Sequence, residues 1–326
     1  MKAALGLWLV LLAGCSSEAV PSGVGEPLRV RYSTQAGQFR AGALPGSPPL
    51  TDEQVLTHVE PDPPSVSLNV GGSIVRSSDS GFSLNGSTSN EAVAVGVRFL
   101  DLGSGYWILP VTGQDATRPG TFNWAGSVDF GADLPAGYHP LGVVAIDGAG
   151  HAGTQTQQKL CVASDIPDNL SSCSPGATPP DTVLSLVWDT PVDLDLRVIT
   201  PQGKVVDPKH PSTALAVDGH VDPTVKGTGS FDTDGVRACQ NVGRRRENLV
   251  WNDAPGPGRY FVYASLYDAC GQPAVRFNVS LNRPGPAEAD GTHHLLRSFE
   301  RAGELLASDA DAGVGRGLFV TEFIVQ

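Results

Sequence analysis

The chain has 326 residues, of which 34 are acidic and 22 basic, so the formal net charge is −12. Binding to a nucleic-acid backbone needs Lys and Arg to neutralise phosphate charge, and this acidic balance argues against that class of protein. Glycine and proline number 39 and 26, yet apolar residues still make up 40% of the chain. This composition excludes a disordered polymer and predicts a turn-rich, all-β globular protein.

The first fourteen residues have the order of a secretory signal peptide, with Lys2 followed by an apolar stretch at 3–13. That stretch is too short to span a bilayer as a helix, which needs roughly 20 residues. It ends in the sequence L-A-G-C at 12–15, which resembles the lipobox of bacterial lipoproteins. The resemblance implies cleavage before Cys15, fatty acylation of Cys15 and anchoring to a membrane. Ser16 and Ser17, with no aspartate next to the cysteine, imply the outer membrane.

Residues 15–61 are rich in Ser, Gly and Pro and end in the sequence E-P-D-P-P at 60–64. Proline fixes backbone angles that helices and central strands do not tolerate, so we predict a lipidated tether here. Two short patches depart from this pattern. Residues 28–32 alternate like a strand, and residues 51–54 have the S/T-x-x-E/Q form of a helix start.

Residues 62–162 are predicted to form a β-sandwich. Apolar residues recur with period 2 at 66–70, 93–99 and 141–146, and turn residues separate these runs. The sequence G-Y-H at 137–139 and the turn D-G-A-G at 147–150 resemble the last hairpin of bacterial immunoglobulin-like modules. The looser segment at 163–180 is predicted to be a linker.

Besides Cys15 the chain has four cysteines, an even number that suits an oxidising compartment. Three pairings of them can be drawn, and sequence proximity favours Cys161 with Cys173 and Cys239 with Cys270. A zinc site is the rival interpretation, but the chain has no C-x-x-C pair.

Residues 181–326 are predicted to form a second β-sandwich. Four motifs occur in order: W-D-T-P-V-D-L-D-L-R-V at 188–198 followed by P-Q-G at 201–203, F-D-T-D-G at 231–235, E-N-L-V-W at 247–251 and A-P-G-P-G-R-Y-F-V at 254–262. This order resembles the YfaP-like domain of unknown function found in exported bacterial proteins. The fourth motif departs from the family pattern by two extra residues before Tyr260.

The second domain also contains a group of acidic residues that could form a site. Asp193 and Asp195 lie two apart on a predicted strand, so both carboxylates project from one face while Leu194 and Leu196 enter the core. One interpretation is a Ca²⁺ site, because hard cations take six to eight oxygen ligands. The candidate ligands are Asp193, Asp195, Asp232, Asp234 and Glu247, with Asn248 in place of Glu247 as a variant. The alternatives are a solvated strand face with a self-bonded Asp turn, and a salt-bridge network with Arg197 or the Arg244–Arg246 run as counter-charge.

Enzyme signatures are absent from the sequence: it has no G-x-S-x-G, no H-E-x-x-H and no phosphate-binding glycine loop. We therefore predict no catalytic residues, and a hydrolase that uses the Asp pair is the weakest hypothesis. Trp188 and Trp251, flanked by apolar strand residues, are predicted to lie in a core. Trp107 and Trp124 are the candidates for ligand binding.

These patterns together predict a membrane-anchored, non-enzymatic envelope lipoprotein that acts as a binding or structural module. Its partners would be the membrane, through the acyl anchor, and an unknown protein or glycan, but not nucleic acid. The alternative function is an accessory glycan- or peptide-binding component of an envelope hydrolytic system. Ca²⁺ is the one cofactor that the residues suggest.

Overall fold

The computed structural model describes residues 22–33, 35–222, 224–232, 234–236, 239–240 and 245–326. Strands dominate the described chain, and its helices are one short α-helix and one 3₁₀ turn. The all-β prediction is therefore confirmed. Within these ranges, no helix has the length and apolar character needed to cross a membrane.

Twelve strands and the helix precede residue 164. They are β1 (Leu28–Tyr32), β2 (Gln35–Ala36), β3 (Gln38–Ala41), α1 (Asp52–Leu56), β4 (Asn69–Val70), β5 (Ile74–Arg76), β6 (Phe82–Ser89), β7 (Ala92–Phe99), β8 (Gly105–Pro110), β9 (Gly113–Gln114), β10 (Thr121–Phe130), β11 (Gly137–Asp147) and β12 (Thr156–Ala163).

The remaining strands follow residue 181. They are β13 (Thr182–Trp188), β14 (Asp193–Ile199), β15 (Val205–Val206), β16 (Ala216–Val217), β17 (His220–Val221), β18 (Gly229–Phe231), β19 (Arg246–Trp251), β20 (Gly258–Asp268), β21 (Ala274–Pro284), β22 (Leu295–Leu306) and β23 (Leu318–Val325), with the 3₁₀ turn Ala307–Asp309 between the last two.

The strands form four main sheets. Two have the orders β2-β1-β10-β6-β4, with β9 paired to β10, and β3-β8-β7-β11-β12-β5. The other two have the orders β18-β19-β13-β21-β22 and β15-β14-β20-β23, and β16 and β17 form a separate pair. Strand pairs such as β13 with β19 and β14 with β20 are antiparallel, whereas β5 pairs with β12 in parallel. Strand β22 is the last strand of its sheet, and most of its side chains are exposed.

The chain divides into two compact units. The first contains the described residues up to Gly71 together with Ser80–Gly131 and Pro140–Gln158, and the second contains Gly72–Asp79, Ala132–His139 and Lys159–Gln326. Each unit has its own buried core, which in the first includes Val97, Phe99, Leu109, Trp124 and Val143.

The predicted tether is shorter than the sequence suggested, because residues 28–41 belong to the first unit. Leu28 and Val30 are 2% and 0% exposed, and β1 pairs with β10 along its length. Burial of this alternating strand outweighs the loop character of its Ser- and Gly-rich surroundings. The helix start at Thr51 is also present, as a capping box with Gln54.

The predicted linker at 163–180 is corrected as well, since part of it is packed. Ser171 and Cys173 are 0% and 2% exposed. The carboxylate of Asp168 accepts hydrogen bonds from the backbone N–H groups of Leu170 and Ser172, which fixes a tight turn. This turn belongs to the second unit.

Both predicted disulfides are present, Cys161 with Cys173 and Cys239 with Cys270. They indicate an oxidising, extracytoplasmic environment.

The core of the second unit is built from alternate residues of two facing sheets. β13 and β21 contribute Leu184, Leu186 and Val279, and β14 and β20 contribute Leu196 and Val262. This is the layer arrangement of a β-sandwich. Trp188 and Trp251 lie in the same core, at 4% and 0% exposure, as predicted.

Candidate functional site: a buried acidic cluster

Two of the predicted ligands, Asp193 and Asp195, lie on the face of β14 that points away from the core. Their neighbours Leu194 and Leu196 are 1% and 0% exposed and pack in the core, as the two-residue period of a strand requires. Asp193 and Asp195 are nevertheless buried too, at 5% and 8% exposure. A solvated strand face, one of the alternative interpretations, is therefore wrong.

Glu247 approaches the same strand from β19 and is completely buried. Its Oε2 accepts a hydrogen bond from the backbone N–H of Leu196 at 2.7 Å. Leu196 precedes Val198 and Ile199, the two residues of β14 that pair with β15. The other carboxylate oxygen, Oε1, is buried without a hydrogen-bond partner. The N–H of Gly235 is close enough to lower the pKa of this carboxyl, but it makes no hydrogen bond of acceptable geometry to Oε1.

Burial, and after it the charge of neighbouring acids, raises the pKa of Asp195 and of Glu247. Burial raises the pKa of Asp195 to about 7, and the negative charge of Asp193 is the next largest cause. The charges of Asp234 and Asp207 add to this rise. Burial also raises the pKa of Glu247 well above its usual range, and the charge of Asp195 is the next cause. We call Asp193, Asp195, Asp234 and Glu247 the acidic cluster; its ionised form needs a compensating positive charge.

The predicted counter-charge Arg197 is engaged mainly with other groups. Its Nε lies 3.4 Å from Oδ2 of Asp207, and its guanidinium donates to the carbonyls of Gly313 and Gly315. It does lower the pKa of Asp195, but less than each of the acids raises it.

The triple-arginine run gives no counter-charge within the described chain. Arg246 lies 3.5 Å from Asp165 and donates to the Asp165 carbonyl. Arg245 is exposed, and Arg244 lies outside the described residues.

Two predicted ligands are placed elsewhere. The carboxylate of Asp232 accepts hydrogen bonds from the backbone N–H and the Nδ2 of Asn248, at 3.1 and 2.9 Å. Asn248 and Glu247 are adjacent in β19 and project from opposite faces, so Asn248 cannot replace Glu247 in the cluster. The grouping of Asp232 with the other ligands is corrected for the same reason.

Sequence reasoning missed Asp207, which follows β15 and is 5% exposed. Besides its ion pair with Arg197 it lies 3.0 Å from Nδ1 of His210. The signal was the turn D-P-K-H at 207–210, where the Asp207 side chain also accepts the His210 backbone N–H. Such turns are common on exposed loops, so this pattern does not predict the burial of Asp207.

The cluster is not a closed coordination shell. Among the described residues, the one group of three or more candidate ligands whose atoms all lie within 4.8 Å of one another is Cys239, Asp268 and Cys270. The two cysteines of that group are joined in a disulfide, so their sulfurs are not available as thiolate ligands. In the acidic cluster the oxygens are spread more widely, and Asp234 is exposed.

The prediction that Trp107 and Trp124 bind a ligand is corrected. They are 5% and 1% exposed, and each indole N–H donates to a backbone carbonyl, that of Leu28 at 2.8 Å and that of Ser67 at 3.1 Å. Both fill the core of the first unit, because a large ring whose N–H finds a partner is stabilised more by burial than by exposure.

The second unit also has an open cavity of about 390 Å³. Charged and amide side chains line it, among them Arg76, Asp168, Asn169, Arg246 and Asn248. Asn248 is 2% exposed, and its Oδ1 has no hydrogen-bond partner. A cavity of this size with groups of both signs is suited to a small polar ligand.

The lipidation residue Cys15 and the predicted signal peptide at 1–14 lie outside the described residues.

No protein-family model and no curated protein matches the chain. The fibronectin(III)-like modules of CbhA from Clostridium thermocellum align over 77% of this chain and 97% of that chain, with 12% identity and a TM-score of 0.18. Dimeric latent PorU from Porphyromonas gingivalis aligns over 78% of this chain and 31% of that chain, with 13% identity and a TM-score of 0.20. TM-scores this low support no inference about function.

Proposed function

We propose that this protein is an exported, non-enzymatic lipoprotein, anchored through Cys15 to the outer membrane, whose β-sandwich units serve as a binding or structural module. The observation that carries the proposal is the pair of disulfides, Cys161–Cys173 and Cys239–Cys270, because such bonds persist outside the cytoplasm. The lipobox resemblance at 12–15 supports the anchor, and the immunoglobulin-like and YfaP-like resemblances support a modular role.

Metabolic labelling with a radioactive fatty acid, followed by membrane fractionation, tests the anchor. We expect the wild-type chain to carry the label and to sediment with the outer membrane, while Cys15→Ser loses the label and its sedimentation. Ser16→Ala is the matched control, since it changes the neighbouring side chain and leaves the thiol in place. An unlabelled wild-type chain, or unchanged sedimentation of Cys15→Ser, contradicts the proposal.

The alternative role, an accessory component that binds glycan or peptide beside a separate hydrolase, gains support from the cavity that Asn248 lines. The arginine side chains there and the Asn248 Oδ1 acceptor suit a hydroxyl-rich or amide-rich ligand. A glycan array probed with the full chain and with Arg76→Ala separates the roles. Binding that weakens in Arg76→Ala favours the accessory role, and no binding above background favours the structural one.

A further inference from the structure

The two disulfides of the second unit differ in their access to solvent. Cys161 and Cys173 are 4% and 2% exposed. In the other pair, Cys239 is exposed and Cys270 is half-buried. Thiol–disulfide exchange begins when a thiolate reaches one of the two sulfurs, so access to the bond controls the rate. The Cys239–Cys270 bond is therefore the one that an external thiol can attack while the protein is folded.

The backbone at both of these cysteines lies in the left-handed region, which residues other than glycine adopt rarely. Cys270 has a φ of 49° and forms a tight turn with Gly271, closed by a hydrogen bond of 2.8 Å from the Gln272 N–H to the Ala269 carbonyl. The turn itself holds Cys270 in this conformation. Cys239 has a φ of 60°. Opening the disulfide would free Cys239 to leave a conformation that costs free energy.

The disulfide joins two points outside the hydrogen-bonded strands, since Cys239 precedes β19 and Cys270 follows β20. Strand β19 pairs with β13, and β20 pairs with β14 and β23. Core residues of these strands, such as Trp251 and Val262, are 0% exposed. Opening the disulfide breaks none of these contacts, so we expect the unit to stay folded. Cys161, by contrast, lies within β12, which pairs with β5.

Asp268 lies beside both sulfurs. One of its carboxylate oxygens and the two Sγ atoms all lie within 4.8 Å of one another, and Oδ1 accepts the backbone N–H of Cys270 at 2.7 Å. The carbonyl oxygen of Asp268 is 3.5 Å from Sγ of Cys270. A Cys270 thiol released by reduction would therefore have a hydrogen-bond acceptor in place. The negative carboxylate, in turn, repels an incoming thiolate.

We propose that Cys239–Cys270 is a thiol–disulfide exchange site that an external dithiol, such as the C-x-x-C pair of an exported oxidoreductase, opens in the folded protein by attack on Cys239. A thiolate of the dithiol bonds to Cys239 Sγ, and Cys270 leaves as a thiolate and takes up a proton. The second thiol of the dithiol then attacks the mixed disulfide, which closes the oxidised dithiol and releases Cys239 as a thiol. Two electrons and two protons pass from the dithiol to the protein.

Timed reduction of the full chain in detergent tests the site. Dithiothreitol is added to the folded chain, free thiols are alkylated at intervals, and peptide masses show which cysteines have opened. We expect Cys239 and Cys270 to be alkylated about tenfold faster than Cys161 and Cys173, or more, with an unchanged far-UV circular dichroism spectrum. Glutathione, a monothiol, should leave its mixed disulfide mainly on Cys239.

A charge variant tests the part played by Asp268. Asp268→Asn keeps an oxygen for the Cys270 N–H and removes the negative charge beside the sulfurs, so it should speed opening by about two- to fivefold. The gain should shrink at high salt, which screens the charge. Asp253→Asn is the matched control, because it removes an exposed negative charge from the loop between β19 and β20, and it should leave the rate unchanged.

Equal opening rates for the two disulfides overturn the proposal, and so does opening of Cys239–Cys270 only together with loss of the dichroism signal. Glutathione found mainly on Cys270 would overturn the assignment of Cys239 as the attacked sulfur. If Asp268→Asn fails to fold, the wild-type rates decide alone. Cys15→Ser should give the same rates as wild type, so a failure of membrane anchoring would affect the proposed function and leave this inference standing.

Discussion

At the scale of single residues, the alternation of β14 was readable from the sequence. The pattern D-L-D-L-R-V placed Leu194 and Leu196 in the core and both aspartates on the opposite face, and the structure agrees. The burial of that opposite face was not readable, because it depends on side chains distant in the chain. Asp207 and Glu247 come from segments 12 and 52 residues beyond Asp195, and no local sequence pattern predicts that they lie near it.

The raised pKa of Asp195 predicts that the free energy of unfolding depends on pH. In the unfolded chain an aspartate titrates near about 3.9, but burial and Asp193 raise the pKa of Asp195 to about 7 in the folded chain. Between these values the native state binds more protons than the unfolded state, so the free energy of unfolding falls as pH rises from about 4 to about 7. Glu247 contributes with the same sign.

Urea unfolding in chelator at a series of pH values checks this dependence. Asp195→Asn should flatten the slope over that window, and Asp253→Asn should preserve it. A wild-type slope equal to that of Asp195→Asn would contradict the expected titration of Asp195.

The two corrected tryptophans give a prediction about stability rather than binding. Trp124 is 1% exposed and its N–H is bonded to the Ser67 carbonyl, so Trp124→Ala should destabilise the first unit by about 3 to 5 kcal/mol. Chemical denaturation monitored by circular dichroism measures the loss. Tyr138→Ala, at a side chain that is 49% exposed, should change stability little. Equal losses in the two variants would argue against a core role for Trp124.

At the scale of elements, strand existence was predicted better than strand boundaries. The runs at 93–99 and 141–146 became β7 and most of β11, which pair in an antiparallel register. The alternation at 28–32 predicts a strand, but its Pro-, Ser- and Gly-rich surroundings favour a tether. Its pairing with β10 joins residues about 100 positions apart, which local propensity cannot reveal.

A close approach between β6 and the segment before β4 gives a prediction about packing. A Cβ atom at Gly86 would lie 2.0 Å from the carbonyl oxygen of Ser67 and 2.7 Å from Nε1 of Trp124. The backbone oxygen cannot rotate away, so Gly86→Ala should cost about 1 to 3 kcal/mol of stability. Gly72→Ala is the control, since a Cβ there meets nothing within 4 Å. Equal unfolding midpoints for the two variants would count against this packing.

At the scale of the whole molecule, the composition and the two-residue period of apolar residues predict an all-β chain with two domains. The structure has two compact units. Their exact limits were not predictable, because Gly72–Asp79 and Ala132–His139 cluster with the second unit although they lie within the sequence of the first. No local residue pattern shows that these two segments belong to the second unit.

The disulfides predict how the molecule responds to reduction. They close loops of 12 and 31 residues, which on the loop-entropy model stabilise the fold by about 2.8 and 3.7 kcal/mol. The double variants Cys161→Ala/Cys173→Ala and Cys239→Ala/Cys270→Ala should therefore both lower the unfolding midpoint, the second more than the first. With reductant added, wild type should unfold earlier, while a chain lacking all four cysteines should not respond. A wild-type midpoint indifferent to reductant would contradict this account.

Among the described residues, strand β22 is the last strand of its sheet, and charges of both signs recur along it. Arg297 pairs with Glu300 on the strand itself, and Glu304 lies 3.3 Å from Arg276 of the adjoining strand. Another chain could add a strand at this edge only if these charged side chains lost their water, which costs free energy. We therefore expect this charged edge strand to disfavour edge-to-edge aggregation when many copies are crowded together.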